Sequence, residues 1–210
     1  MRYVEPLLRI AVLAGFLGGC AGTAGLSRDQ AESAYDIDRP LPKVNISTEA
    51  RIEYTRALQA LKRKQYKQAE ARLRALTRKY PQLSGPYANL GILYRRTNRT
   101  DKALEAFEKA LALNPRRAET YNHLGILYRN MGEFQKARRA YQAALKLAPD
   151  YAYAHLNLGI LYDLYLFDGE KALKQYERYQ QLTRSRNKNV SNWIIDLKRR
   201  VKSGEALARK

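Results

Sequence analysis

Cysteine and histidine are scarce in this 210-residue chain, and its carboxylates are outnumbered by cations. With one cysteine, Cys20, it can build neither an internal disulfide framework nor a cysteine-based zinc site. The two histidines, His123 and His155, have no cysteine or carboxylate at ligand spacing, so no metal site is expected. The glycines are scattered and form no phosphate-cradling loop. Glu105, Glu108, Glu170 and Glu177 lie among lysines and arginines and read as solvated faces. No catalytic residue and no cofactor is therefore assigned, and an enzyme is not expected. The apolar run Ile10 to Leu17 is too short to cross a bilayer, which takes roughly 20 residues. Acids number 20 against 39 lysines and arginines, a formal balance of +19. An anionic partner or surface fits that balance, which speaks to association and not to fold.

What the chain does have is a phrase, Leu-Gly-Ile-Leu-Tyr, repeated unchanged at Leu90 to Tyr94, Leu124 to Tyr128 and Leu158 to Tyr162. The spacing is 124 − 90 = 34 and 158 − 124 = 34 residues. A fixed period of this size marks a stacked repeat protein. Other positions keep the same register: Tyr87 with Tyr121, Ala103 with Ala137, Phe107 with Tyr141, Ala110 with Ala144, and Pro115 with Pro149. Each has a physical reason. Leu90, Leu93, Tyr94 and Thr97 make one stripe of a first helix. Gly91 removes the side chain where a second helix crosses closely, and Ala103, Phe107 and Ala110 form the facing stripe. Pro115 cannot continue that helix and turns the chain into the next repeat.

The end repeats depart from the pattern. The first, about residues 48–81, has a first-helix stripe of Tyr54, Ala57, Leu58 and Leu61. In the fourth, Ala172 stands one residue late, and the loop Phe167-Asp168-Gly169 can absorb the extra residue. Val190, Trp193, Ile194, Leu197 and Val201 recur at helical spacing, with Trp193 expected to anchor a capping helix. The whole resembles the tetratricopeptide repeat. The resemblance implies an all-α solenoid of about four helix-turn-helix repeats over residues 48–188, with a capping helix and tail at 189–210.

At the amino terminus, charged residues, a short apolar run and small residues read as a leader, residues 1–19. Leu17-Gly18-Gly19-Cys20 resembles the bacterial lipobox. That resemblance implies cleavage before Cys20, acylation of Cys20 and, with Ala21 following, residence at the periplasmic face of an outer membrane. Residues 20–47, with Pro40 and Pro42, read as a tether with an extended end.

In the tetratricopeptide family the first helices line a concave face that holds partners. The inward positions here are Asn89, Ile92, Arg95 and Arg96; Asn122, His123, Ile126, Arg129 and Asn130; and Tyr153, Asn157, Ile160 and Asp163. Asn89, His123 and Asn157 share one register position, and amides there can meet a peptide backbone without reading its sequence. The three isoleucines give an apolar floor, and the arginines favour carboxylates. Tyr153 and Tyr165 either pack beneath the cap or end the groove. The basic runs Lys62 to Lys64, Arg184 to Lys188 and Lys198 to Arg200 are solvated faces, or else contacts to anionic phospholipid. The expected function is a non-enzymatic, lipid-anchored periplasmic scaffold for envelope, pilus or cell-wall assembly, binding a protein or peptide, with no nucleic acid expected. The alternatives are an unlipidated cytosolic or secreted adaptor, an accessory subunit of an enzyme, and a basic RNA-binding helical repeat.

Overall fold

The computed structural model describes Asp38, Pro40, Leu41 and residues 43–208. The leader, Cys20 and most of the tether lie outside the described residues. Within them the chain forms nine helices and no strand. They are α1 (Thr48–Lys62), α2 (Tyr66–Lys79), α3 (Ser84–Arg96), α4 (Thr100–Leu113), α5 (Ala118–Asn130), α6 (Phe134–Leu147), α7 (Ala152–Leu164), α8 (Gly169–Leu182) and α9 (Lys188–Ala208). Segment 43–47, before α1, is extended or irregular.

Helix ends follow local chemistry. Ser47 opens α1 by accepting the Ala50 N–H at 3.2 Å, which satisfies one of the free donors of a helix start. Asp168 does the same for α8 through the Lys171 N–H at 3.0 Å. Lys64, Asn98, Gly132 and Phe167 each close the turn inside a repeat with left-handed φ of 58°, 56°, 78° and 53°. Such a residue ends a helix by reversing its backbone twist. The first three are 34 residues apart, and Phe167 follows Gly132 by 35. The extra residue of the fourth repeat is thus taken up before Phe167, whereas Asp168 caps α8 and Gly169 opens it.

The helices pair as α1–α2, α3–α4, α5–α6 and α7–α8, and each pair stacks on the next through α2–α3, α4–α5 and α6–α7. The pairing rests on the glycines. A Cβ on Gly91, Gly125 or Gly159 would stand 2.5 to 2.6 Å from the ring of Phe107, Tyr141 or Tyr176. No real Cβ comes that close, so only glycine lets these backbones lie on these rings. Ala103, Ala137 and Ala172, each 0% exposed, keep the facing helices equally near. One apolar core runs through all the repeats and into α9.

The ends differ from the sequence-based expectation in two places. In α1, Ala57, Ala60 and Leu61 are buried but Leu58 is 38% exposed, because α1 has no repeat on its outer side. In α9 the buried anchors are Val190 and Leu197, whereas Trp193 is 43% exposed and leans on Tyr176 with ring centroids 5.7 Å apart. The bulky indole rides over the edge of the α8 ring while the smaller side chains enter the core.

Gly125→Ala tests the crossing. Tyr141 is 0% exposed and its ring cannot retreat. The substitution should cost about 1–3 kcal/mol, the usual range for overpacking. Thermal unfolding followed by circular dichroism reads it, and an unchanged Tm would show that the crossing tolerates a methyl group.

Candidate functional site: the concave face

Helices α3, α5 and α7 approach one another along the inner side of the stack, and their exposed faces form the candidate site. Ile92, Ile126 and Ile160 are half-buried and packed on the core. They form the floor that the repeat register implies.

The amides do not form one ladder. Asn89 donates to the Tyr54 hydroxyl at 2.7 Å and to the Gly85 carbonyl at 3.1 Å. Asn157 donates to Asn122 Oδ1 at 2.9 Å, and Asn122, only 2% exposed, donates in turn to the Tyr151 hydroxyl at 3.4 Å. The structure therefore brings Asn122 and Asn157 together and keeps Asn89 apart, with Tyr54. Periodicity aligned Asn157 with His123; the actual partner, Asn122, sits one residue earlier. These amides peg successive repeats to each other.

The cations have no such partners. Arg95 Nε, Arg129 Nη1 and His123 Nδ1 are buried atoms with no hydrogen-bond partner among the described residues, and so is the Tyr141 hydroxyl. They act on one another: Arg95 and Arg129 on Tyr141, and Arg95 and Arg96 on His123. Burial, followed by repulsion from the two arginines, lowers the His123 pKa to about 4. Its ring stacks on Phe107, with centroids 6.2 Å apart and planes within 10°. Burial pushes the Tyr141 phenol up to about 12, against the pull of Arg129 and Arg95. Burial also lowers the Arg95 pKa, with Arg96 and Arg129 adding repulsion. His123 is thus neutral near pH 7, and the positive field of the site comes from guanidinium groups.

Asp163, on the groove side of α7, does not answer that charge. Its side chain is 7% exposed and paired to Arg200 of the cap at 2.9 Å, and it accepts from the Tyr176 hydroxyl at 3.4 Å. Arg96 and Asn130 are exposed at the ends of α3 and α5. Tyr153 is 62% exposed, 6.4 Å from the Tyr179 ring, and borders an open cavity of about 720 Å³ with Arg184, Arg186 and Lys188. At the other end, Leu41, Val44 and Ile46 of the segment before α1 face Tyr54, Pro86 and Arg117 across about 380 Å³. His155 plays no part in the groove; its ring nitrogens lie 2.7 Å from Gln175 Oε1 and 2.9 Å from the Pro149 carbonyl. Among the described residues no group of three or more His, Cys, Asp or Glu comes together, and no helix is long and apolar enough to cross a membrane.

Sequence reasoning missed Tyr54, Tyr141 and Tyr151 as neighbours of the site. One sign was present: Tyr141 replaces Phe107 at the crossing position, which places a hydroxyl where the repeat needs only a ring.

The fold defines a helical-repeat solenoid, a class whose members generally mediate protein–protein interaction. Two tetratricopeptide-repeat family models match residues 54–118 and 90–156, and the stretch they cover is built of tetratricopeptide repeats. Among solved structures, Pseudomonas aeruginosa pilF is 24% identical, with a TM-score of 0.67 over 74% of this chain and 70% of that one. MamA of Desulfovibrio magneticus RS-1 is 19% identical, with a TM-score of 0.65 over 79% and 92%. The first TPR of Spaghetti (RPAP3), solved with an HSP90 peptide, is 21% identical, with a TM-score of 0.54 over 58% and 94%. At these identities the likeness shows the fold alone. A comparison with curated proteins found no match.

Proposed function

We propose that the protein is a non-enzymatic scaffold, lipid-anchored at Cys20 on the periplasmic face of a bacterial outer membrane, that holds an acidic stretch of a partner polypeptide in its concave face. The carrying observation is that the inner face carries Arg95, Arg96 and Arg129, and that Arg95 Nε and Arg129 Nη1 find no acceptor among the described residues. A buried polar group ordinarily has a partner. A face that carries three guanidinium groups over an apolar floor, with Asp163 paired to the cap, selects an anion with an apolar body. An Asp/Glu-containing peptide has that chemistry, and guanidinium groups bind carboxylates in paired geometry. The Asn pegs hold the first helices in place, and the half-buried Asn89 and Asn157 add residual acceptor and donor edges along the same face. That one fold relative was solved with a bound peptide is consistent with this use.

The lipobox resemblance at Leu17 to Cys20 supports the anchor, and the leader argues for the periplasm over a cytosolic RNA-binding role. Assembly of envelope, pilus or cell-wall machinery is the class of process in which a tethered, inert peptide holder serves.

For the groove, the double variant Arg95→Glu with Arg129→Glu should bind a fluorescent Asp/Glu-rich decapeptide at least about ten-fold more weakly, since hydrogen bonds to charged groups are worth roughly 1.5–3 kcal/mol each. Helicity should be unchanged. Equal binding of the Asn/Gln version of the peptide by the unaltered protein, or undiminished binding by the variant, would contradict the assignment. For the anchor, radiolabelled palmitate should enter the protein in cells and be lost in Cys20→Ser; equal labelling of both would remove it.

A further inference from the structure

The repeat register marks the turn between α7 and α8 as an anomaly. Leu164 stands where the two preceding repeats carry Arg96 and Asn130, and Tyr165 where they carry Thr97 and Met131. Phe167 takes the left-handed turn position that Lys64, Asn98 and Gly132 fill elsewhere, with φ 53°. A bulky aromatic is poorly suited to that backbone, and packing does not require it there. Phe167 is 85% exposed, Leu164 58% and Tyr165 38%. The Tyr165 ring rests 4.8 Å from Phe134, and Met131, 41% exposed, lies in the neighbouring turn that leads to Phe134. Two adjacent turns thus raise an apolar tip at one edge of the last repeats, where the earlier repeats are polar.

The surroundings of the tip are cationic. Gly169 lies against α9, since a Cβ there would meet Val201 Cγ2 at 3.0 Å. The same stretch of α9 carries Arg199 and Lys202, two residues before and one residue after Val201. Both are exposed and neither enters an ion pair among the described residues. The nearby carboxylates are mostly occupied: Glu133 with Lys136, Asp163 with Arg200, Asp168 with Lys171 and Glu177 with Lys198, leaving Glu170 as the exception.

We infer that this tip is a membrane-docking site for an anionic bilayer surface. Leu164, Tyr165 and Phe167 enter the boundary between headgroups and acyl chains, and Arg199 and Lys202 meet the headgroup phosphates. Apolar side chains raised on a turn, and not sunk in a recess, suit a deformable apolar layer. The unpaired cations on that stretch of α9, on a chain of net charge +19, match an anionic sheet. The site stands apart from the groove and does not depend on the groove's ligand. It would hold the carboxy-terminal end of the solenoid on the membrane, leaving the concave face to its partner.

The test uses residues 38–210, because the core is drawn wholly from α1 to α9 and the leader's own affinity for lipid is then removed. Cosedimentation with phosphatidylglycerol–phosphatidylcholine vesicles is expected, and much weaker cosedimentation with phosphatidylcholine alone. Leu164→Asn with Phe167→Asn installs the Asn that Asn130 and Asn98 supply in the other repeats, so folding should not suffer. Binding should fall about ten-fold or more from lost apolar insertion. Arg199→Gln and Lys202→Gln should each weaken binding by roughly five-fold and flatten its salt dependence. Arg95→Glu with Arg129→Glu should leave vesicle binding intact. Absence of vesicle binding, undiminished binding by the Asn variant, or equal binding to neutral vesicles would overturn the inference. So would a concentration-dependent dimer abolished by the same variant, which would assign the tip to a second copy of the chain.

Discussion

Three contacts between a helix backbone and an aromatic ring set the geometry of this molecule: Gly91 on Phe107, Gly125 on Tyr141 and Gly159 on Tyr176. Each crossing brings two helices closer than any side chain would allow, and alanines on the facing helix keep the approach close along its length. Each pair then has apolar surface left over that only another pair can cover. The stack, its curvature and the alignment of α3, α5 and α7 on one side all follow from that leftover surface. At the last pair α9 covers it, with Val190 and Leu197 in place of the next repeat.

What the stacking leaves on the inner side is polar and nearly one-signed. Part of it is structural, since Asn89, Asn122 and Asn157 spend their strongest hydrogen bonds tying one repeat to the next. The rest is unspent. Burying part of a guanidinium without an acceptor is unfavourable in a stack held together by apolar contact. Arg95 and Arg129 act on an un-ionised Tyr141, and Arg95 with Arg96 on a neutral His123. Neither His123 nor Tyr141 adds to or offsets that charge in the neutral pH range, because the histidine pKa is driven down to about 4 and the phenol up to about 12.

Much of this was legible in the sequence because it is periodic. The 34-residue spacing, the glycines under the rings and the inward isoleucines repeat, and each repetition is an independent reading of the same constraint. The parts that were not legible are pairings between helices that a period cannot specify. Asn157 and His123 share a register position, yet the Asn157 amide reaches Asn122, because the stagger between α5 and α7 favours the preceding residue. The sequence could name Arg95, Arg129 and Asp163 as inward, but not that Asp163 pairs with Arg200 on α9. Trp193 read as the natural anchor of the cap, since large apolar residues usually are; the core end of α8 had room for valine and leucine instead. Phe167 read as part of a loop taking up one residue, and a repeat period cannot show that its ring is left 85% exposed.

The central claim is that the inner, cationic face of the stack holds an acidic polypeptide. Its most direct measurement is a photo-crosslinking residue placed in the full chain, in its own cells, at Ile126 on the concave floor and, separately, at Lys109 on the exposed side of α4. Mass spectrometry would then identify the captured peptide. Capture of a carboxylate-rich segment from Ile126 and not from Lys109 is the predicted result. Capture from Lys109 alone, or of segments without carboxylates from Ile126, would contradict it.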